Sequence, residues 1–181
     1  FGAGSLDQLP IEVDALGARR AMVVCTAGRR KAAEAAAAAL GPRAAGVHAG
    51  ALMHVPLDCA EVARAEARRC KADCCVAVGG GSAVGLAKAI ALESEVAIVA
   101  VPTTYAGSEM TPIWGMTEGG VKRTGRDARV LSRTVIYDPA LTLDLPPSAS
   151  GPSGMNALAH SVEALYAPNA DPLVALMAEE S

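Results

Sequence analysis

The sequence predicts an α/β fold in which a mostly parallel sheet is covered by helices, and three observations carry that prediction. Short apolar runs alternate with amphipathic segments from residue 21 to residue 101, the pattern of repeated strand and helix units. The runs Cys74 to Val78 and Val96 to Val101 are apolar throughout, as strands covered on both faces are. Aromatic residues make up 3% of the chain while alanine is abundant, so small side chains let helices approach a sheet closely.

Taken in order, strands are expected at Ala21 to Cys25, Ala44 to His48, Cys74 to Val78 and Val96 to Val101, the last stopped by Pro102. Helices are expected between them at Arg29 to Leu40, Leu57 to Cys70 and Ser82 to Leu92. Beyond Pro102 the regularity gives way to a polar stretch with Gly107, Gly115, Gly119 and Gly120, in which Ile113 to Thr117 reads as one strand of a hairpin. Thr134 to Tyr137 is a further strand, ending at Asp138-Pro139. The pair Pro146-Pro147 and the small residues through Gly154 predict a domain boundary, because proline disfavours continued regular structure. Met155, Leu158, Ala159, Val162 and Leu165 then fall at helical spacing. The expected organisation is an α/β domain over residues 1–147 and the beginning of a helical domain over residues 148–181.

With 51% hydrophobic residues and a formal net charge of -3, the chain can bury a core. It offers no electrostatic reason to bind nucleic acid or an anionic membrane. Its apolar stretches are interrupted before reaching membrane-spanning length. Five cysteines, an odd number, with no leader before them, fit a reducing cytoplasm. No second Cys or His cluster at ligand spacing follows Cys70 and Cys74, so the thiols read as structural. A small molecule is the expected partner.

Gly79, Gly80, Gly81 and Ser82 follow an apolar strand and open a helix. Their bare backbone can approach a phosphate while the helix amides and macrodipole face its charge, and Ser82 can cap the helix. The competing reading is a tight strand-to-helix turn. The spacing is neither the Gly-x-Gly-x-x-Gly fingerprint nor a Walker loop. A second strand-end loop, Pro102 to Glu109, places Thr103, Thr104 and Ser108 at the carboxyl edge of the sheet, where open α/β sheets bind ligands. Together the two loops predict a dinucleotide cleft.

The string Gly79-Gly80-Gly81-Ser82-x-x-Gly85-x-Ala87-Lys88, then Pro102-Thr103-Thr104-x-x-Gly107-Ser108-Glu109 and Asp138-Pro139, resembles the iron-containing alcohol dehydrogenase superfamily over essentially the whole chain. Within it, Val101 to Trp114, Lys122 to Arg126 and Gly154 to His160 are most similar to the maleylacetate reductases, as is Gly85 where most of the superfamily carries Asp. The resemblance implies a dehydroquinate synthase-like fold, with a Rossmann-like domain followed by an all-helical one that is truncated here. It implies that Gly79, Gly80, Gly81 and Ser82 hold a pyrophosphate, that Thr103, Thr104 and Ser108 line the nucleotide and nicotinamide, and that Lys122 approaches the cofactor ribose. The implied reaction is NADH- or NADPH-dependent reduction of maleylacetate, a small dicarboxylate, to 3-oxoadipate, by a cytoplasmic homodimer. Alternatives are a metal-dependent alcohol or glycerol dehydrogenase of the same superfamily, a lyase of the dehydroquinate synthase type, and a non-catalytic nucleotide-binding module.

Asn156 and His160 are four apart on the expected last helix and so share a face. The superfamily uses this spacing for metal, with Asp first and two further His later. Here the first position is Asn, a neutral and weak donor, and no His follows His160. No bound metal is therefore expected. His160 is instead the candidate for substrate binding or proton handling, with Asn156 orienting it or the substrate. His48 and His54 read as structural or solvated, Trp114 as packing, and Lys122, Arg123, Arg126 and Arg129 as a solvated hairpin face. After the first strand, Thr26 to Arg30 shows no acid and two arginines, so a ribose 2′-phosphate is not repelled and NADPH is expected to be accepted.

Overall fold

The computed structural model describes every residue except Asn169. Five strands, β1 (Ala21–Val24), β2 (Ala44–His48), β3 (Cys74–Gly79), β4 (Ala97–Pro102) and β7 (Thr134–Val135), form a parallel sheet in the order β2-β1-β3-β4-β7. Helix α1 (Leu9–Ala15) precedes it, and α2 (Arg30–Leu40), α3 (Leu57–Arg69) and α4 (Gly81–Ala91) are its crossovers. The α/β expectation thus holds. Strand order changes direction at β1 and β3, and this switch point opens a crevice at their carboxyl ends.

Alternation along the strands divides the core into two layers. Met22, Val24, Cys75, Ala77, Ile98 and Ala100 face α3 and α4. Val23, Cys74, Val76, Val78, Val99 and Val101 face α1 and α2. The facing helices bury mostly alanine, and Arg64 joins α3 to α4 by donating to the Ala89 carbonyl at 3.0 Å and pairing with Glu93 at 2.7 Å. All five cysteines are free thiols; burial pushes Cys74 up to about 12 and raises Cys25, Cys59 and Cys75 as well, which disfavours the reactive thiolate at those four.

The polar stretch after β4 forms an antiparallel hairpin of β5 (Ile113–Glu118) and β6 (Val121–Arg126) laid over α4. Residues Ser5 to Leu9 and their neighbours are tied to the far edge of the sheet. The buried Asp138 carboxylate accepts from the backbone N–H groups of Gly4 (3.2 Å), Leu6 (3.2 Å) and Ala140 (3.1 Å). Asp138→Ala leaves those donors unpaired and is expected to cost about 2 to 4 kcal/mol. In urea unfolding this reads as a lower midpoint with an unchanged slope; an unchanged midpoint would show that water replaces the carboxylate.

One sequence expectation is corrected at the carboxyl end. The small residues before Met155 are already helical: α5 runs over Pro147–Tyr166 and α6 over Pro172–Glu180. Pro147 sits at the helix start, where a missing N–H costs nothing, and Pro152 is accommodated inside at the loss of one helical hydrogen bond. No residue of α5 or α6 is buried, and Met155, Leu158, Val162 and Leu165 are exposed. Among the described residues no helix is long and apolar enough to cross a membrane.

Candidate functional site

Strand β3 ends in Gly79, whose φ of 147° suits glycine. Gly80 follows at the N-cap of α4. A Cβ on Gly80 would lie 2.7 Å from both Oγ1 and Cγ2 of Thr104, so bare backbone is required for the two strand-end loops to meet. No side chain caps α4. Ser82 was expected to do so but lies inside the first turn, which leaves the helix amides and dipole open to an anion.

A cleft of about 520 Å³ opens beside this helix start. Gly81, Ser82, Ser108, Lys122 and His160 of the expected set all line it, together with His54, Val55, Gly85, Lys88, Thr111, Trp114 and Thr124. The remaining expected residues lie around its margin. Gly79 and Gly80 form the turn. Thr103 is 1% exposed, and its N–H donates to the Gly79 carbonyl at 3.1 Å. Thr104 lines a second, apolar hollow of about 310 Å³ with Tyr105, Glu109, Tyr137, Pro139 and Thr142. Gly107 borders both spaces.

Helix α5 reaches the site through one face. Ser153 Oγ accepts from the Tyr105 N–H at 2.8 Å, and Asn156 Nδ2 donates to the Ala106 carbonyl at 3.2 Å. The next residue on that face, His160, enters the cleft. Asn156 therefore holds the loop that His160 faces. His160 is 59% exposed and makes a distant pair with Glu163, 3.9 Å away, so its ring is open to a ligand.

Three further residues shape the cleft. The buried Lys88 ammonium donates to the carbonyls of Ser108 (2.6 Å), Thr111 (2.7 Å) and Ile113 (2.7 Å). Burial pulls it down to about 8, and nearby Glu109 acts in the opposite direction. Glu109 is itself buried and accepts from the Tyr137 hydroxyl at 3.0 Å; burial and this carboxylate push the phenol up. His54 was read as structural or solvated and Trp114 as packing. The structure places both on the cleft wall, where Trp114 also covers Gly125. The reading of His48 fits its position: it is buried and 2.6 Å from Glu66.

Among the described residues no carboxylate lines the cleft, whereas two lysines and two histidines do. The arrangement suits anions: phosphates at the α4 terminus and an acidic small molecule beside it. Among the described residues no group of three or more His, Cys, Asp or Glu is placed to hold an ion. Asn156 and His160 alone supply one neutral oxygen and one imidazole.

Residues 1–139 match the family model described as iron-containing alcohol dehydrogenase. Maleylacetate reductase of Burkholderia cepacia is 59% identical over 180 residues, which are 99% of this chain and 51% of that protein. Maleylacetate reductase 2 of Cupriavidus pinatubonensis is 58% identical over 181 residues, 100% of this chain and 50% of that protein. The crystal structure of maleylacetate reductase from Agrobacterium tumefaciens superposes with a TM-score of 0.94 at 49% identity, covering 98% of this chain and 51% of that one. The chain spans about half the length of the curated relatives it matches. The iron in the family description gives the expectation of a metal-free site no support.

Proposed function

The chain belongs to the iron-containing alcohol dehydrogenase family, and from that premise we propose that it forms the nucleotide-binding half of an NAD(P)H-dependent maleylacetate reductase. The observation that carries this reading is the cleft at the uncapped start of α4, which no carboxylate lines among the described residues and which His160 lines. The amides of the first α4 turn and the Ser82 hydroxyl hold the pyrophosphate. The apolar hollow beyond Thr104 takes the adenine, and the larger cleft takes the nicotinamide and substrate, so that the dinucleotide crosses at the contact between Gly80 and Thr104.

When bound, the reduced nicotinamide supplies a hydride to the carbon-carbon double bond conjugated with the substrate ketone. Charge then develops on the ketone oxygen, which needs a positioned donor, and the neighbouring carbon needs a proton. On this reading His160, which lines the cleft, donates at that oxygen. Lys122, on β6, lies at the cleft wall for the ribose or a substrate carboxylate. Close to the end of β1, Arg30 is already paired with Glu34 at 2.9 Å, which leaves Arg29 for a 2′-phosphate. NADPH is accepted on this reading.

The test uses the full-length protein. NADH and NADPH are titrated by fluorescence, and cofactor oxidation with maleylacetate is followed before and after exhaustive chelation, with metal analysis of the same sample. Oxidation that survives chelation supports reduction by side chains alone. Turnover abolished by chelation and restored by iron places a metal in the reaction, held by ligands beyond Asn156 and His160. Cofactor binding without any turnover removes the reductase reading.

A further inference from the structure

Two consecutive residues at the cleft wall occupy a backbone region that favours glycine: His54 at φ 63° and Val55 at φ 47°. Histidine is tolerated there, but a β-branched residue is an outlier, and such strain persists only where the surroundings enforce it. Here they do so from two sides. The Thr117 hydroxyl donates to the His54 carbonyl and the Thr117 N–H to the Val55 carbonyl, each at 3.0 Å. Val55 is buried over α4 at the point where Gly85 has no side chain; a Cβ there would lie 2.8 Å from Val55 Cγ2. Thr117 also pairs with Lys122 across the hairpin. One residue of β5 thus sets both the His54 corner and the strand that carries Lys122.

The corner holds its backbone against a steric preference, and it places His54, an exposed residue, on the lining of a cleft that no carboxylate lines among the described residues. The α4 terminus already supplies donors for phosphate, so this imidazole is free for another anion. We propose that His54 is a substrate-specificity residue that donates to a carboxylate of the bound substrate, with Val55 fixing its position against Gly85. The inference rests on the reductase reading and names a recognition residue within that same site.

The test again uses the full-length enzyme. His54→Gly removes the imidazole while suiting the backbone conformation; His54→Asn tolerates that conformation and keeps a shorter donor. In the glycine variant KM for maleylacetate rises about tenfold, the loss expected for one hydrogen bond to a charged group, and inhibition by fumarate weakens by the same factor. The loss falls on KM rather than kcat, NADH affinity holds, and the asparagine variant lies between. Unchanged KM and fumarate inhibition overturn the inference while the reductase reading stands. Loss of NADH affinity in step with maleylacetate also overturns it, because His54 then serves the cofactor. A wild-type enzyme that binds NADH but leaves maleylacetate unreduced overturns both.

Discussion

Gly80→Ala is expected to weaken dinucleotide binding about a hundredfold or more. The added methyl would sit 2.7 Å from two atoms of Thr104, a separation that β-carbons do not adopt. Thr104 is β-branched and cannot swing aside freely, so either the start of α4 or the loop after β4 must move. Both loops are needed for the dinucleotide. Losing two charge-assisted bonds to phosphate removes about 3 to 4 kcal/mol, which is a factor of about one hundred to several hundred in affinity. The comparison is Gly151→Ala on α5, whose methyl meets nothing within 4 Å and lies outside the cleft lining. Fluorescence titration of both variants with NADH checks the contrast, and equal affinities would show that the contact with Thr104 does not shape the site.

Lys88→Met is expected to destabilise the protein by about 3 kcal/mol, near 1 kcal/mol for each of the three carbonyls it serves, and to lower turnover because Ser108 and Thr111 line the cleft. The pH dependence has a definite sign. The Lys88 pKa falls from 10.5 to about 8 on folding, so the unfolded chain binds the extra proton between those values. The contribution of Lys88 to stability is therefore constant below about 8 and rises with pH up to 10.5. Cys74 acts the other way above 9.0, since burial raises its thiol. The difference in melting temperature between wild type and Lys88→Met isolates the lysine, and it should widen between pH 8 and pH 10. A variant as stable as wild type at every pH would reduce Lys88 to a space-filling role.

The parallel strands were legible in the sequence because burial on both faces forces apolar residues at every position, as in Cys74 to Val78. The bounds of β6 were not, although its basic residues read as a hairpin face, since Val121 to Arg126 is largely charged and glycyl and is held by backbone pairing with β5. Helix α1 escaped notice because it is short, and α5 began earlier than expected because proline is welcome at a helix start. The glycine loop stood out by residue type and spacing, and His160 was singled out by its spacing from Asn156 together with the family resemblance. His54 could not, as its place depends on a backbone conformation imposed by Thr117, more than sixty residues away in the chain. Lys88 stood in view within the quoted motif, yet nothing local announces that its ammonium would serve three carbonyls from a loop twenty and more residues downstream.

The carboxylate of Asp138 fastens Gly4 and Leu6 across 134 and 132 residues of chain, and the cost of closing so long a loop is met before the contact repays it. On the ribosome, where synthesis runs from the amino end, Gly4 and Leu6 lack this carboxylate until Asp138 has been made. Until then those two N–H groups remain open to solvent, and a protease present during synthesis would find a target there.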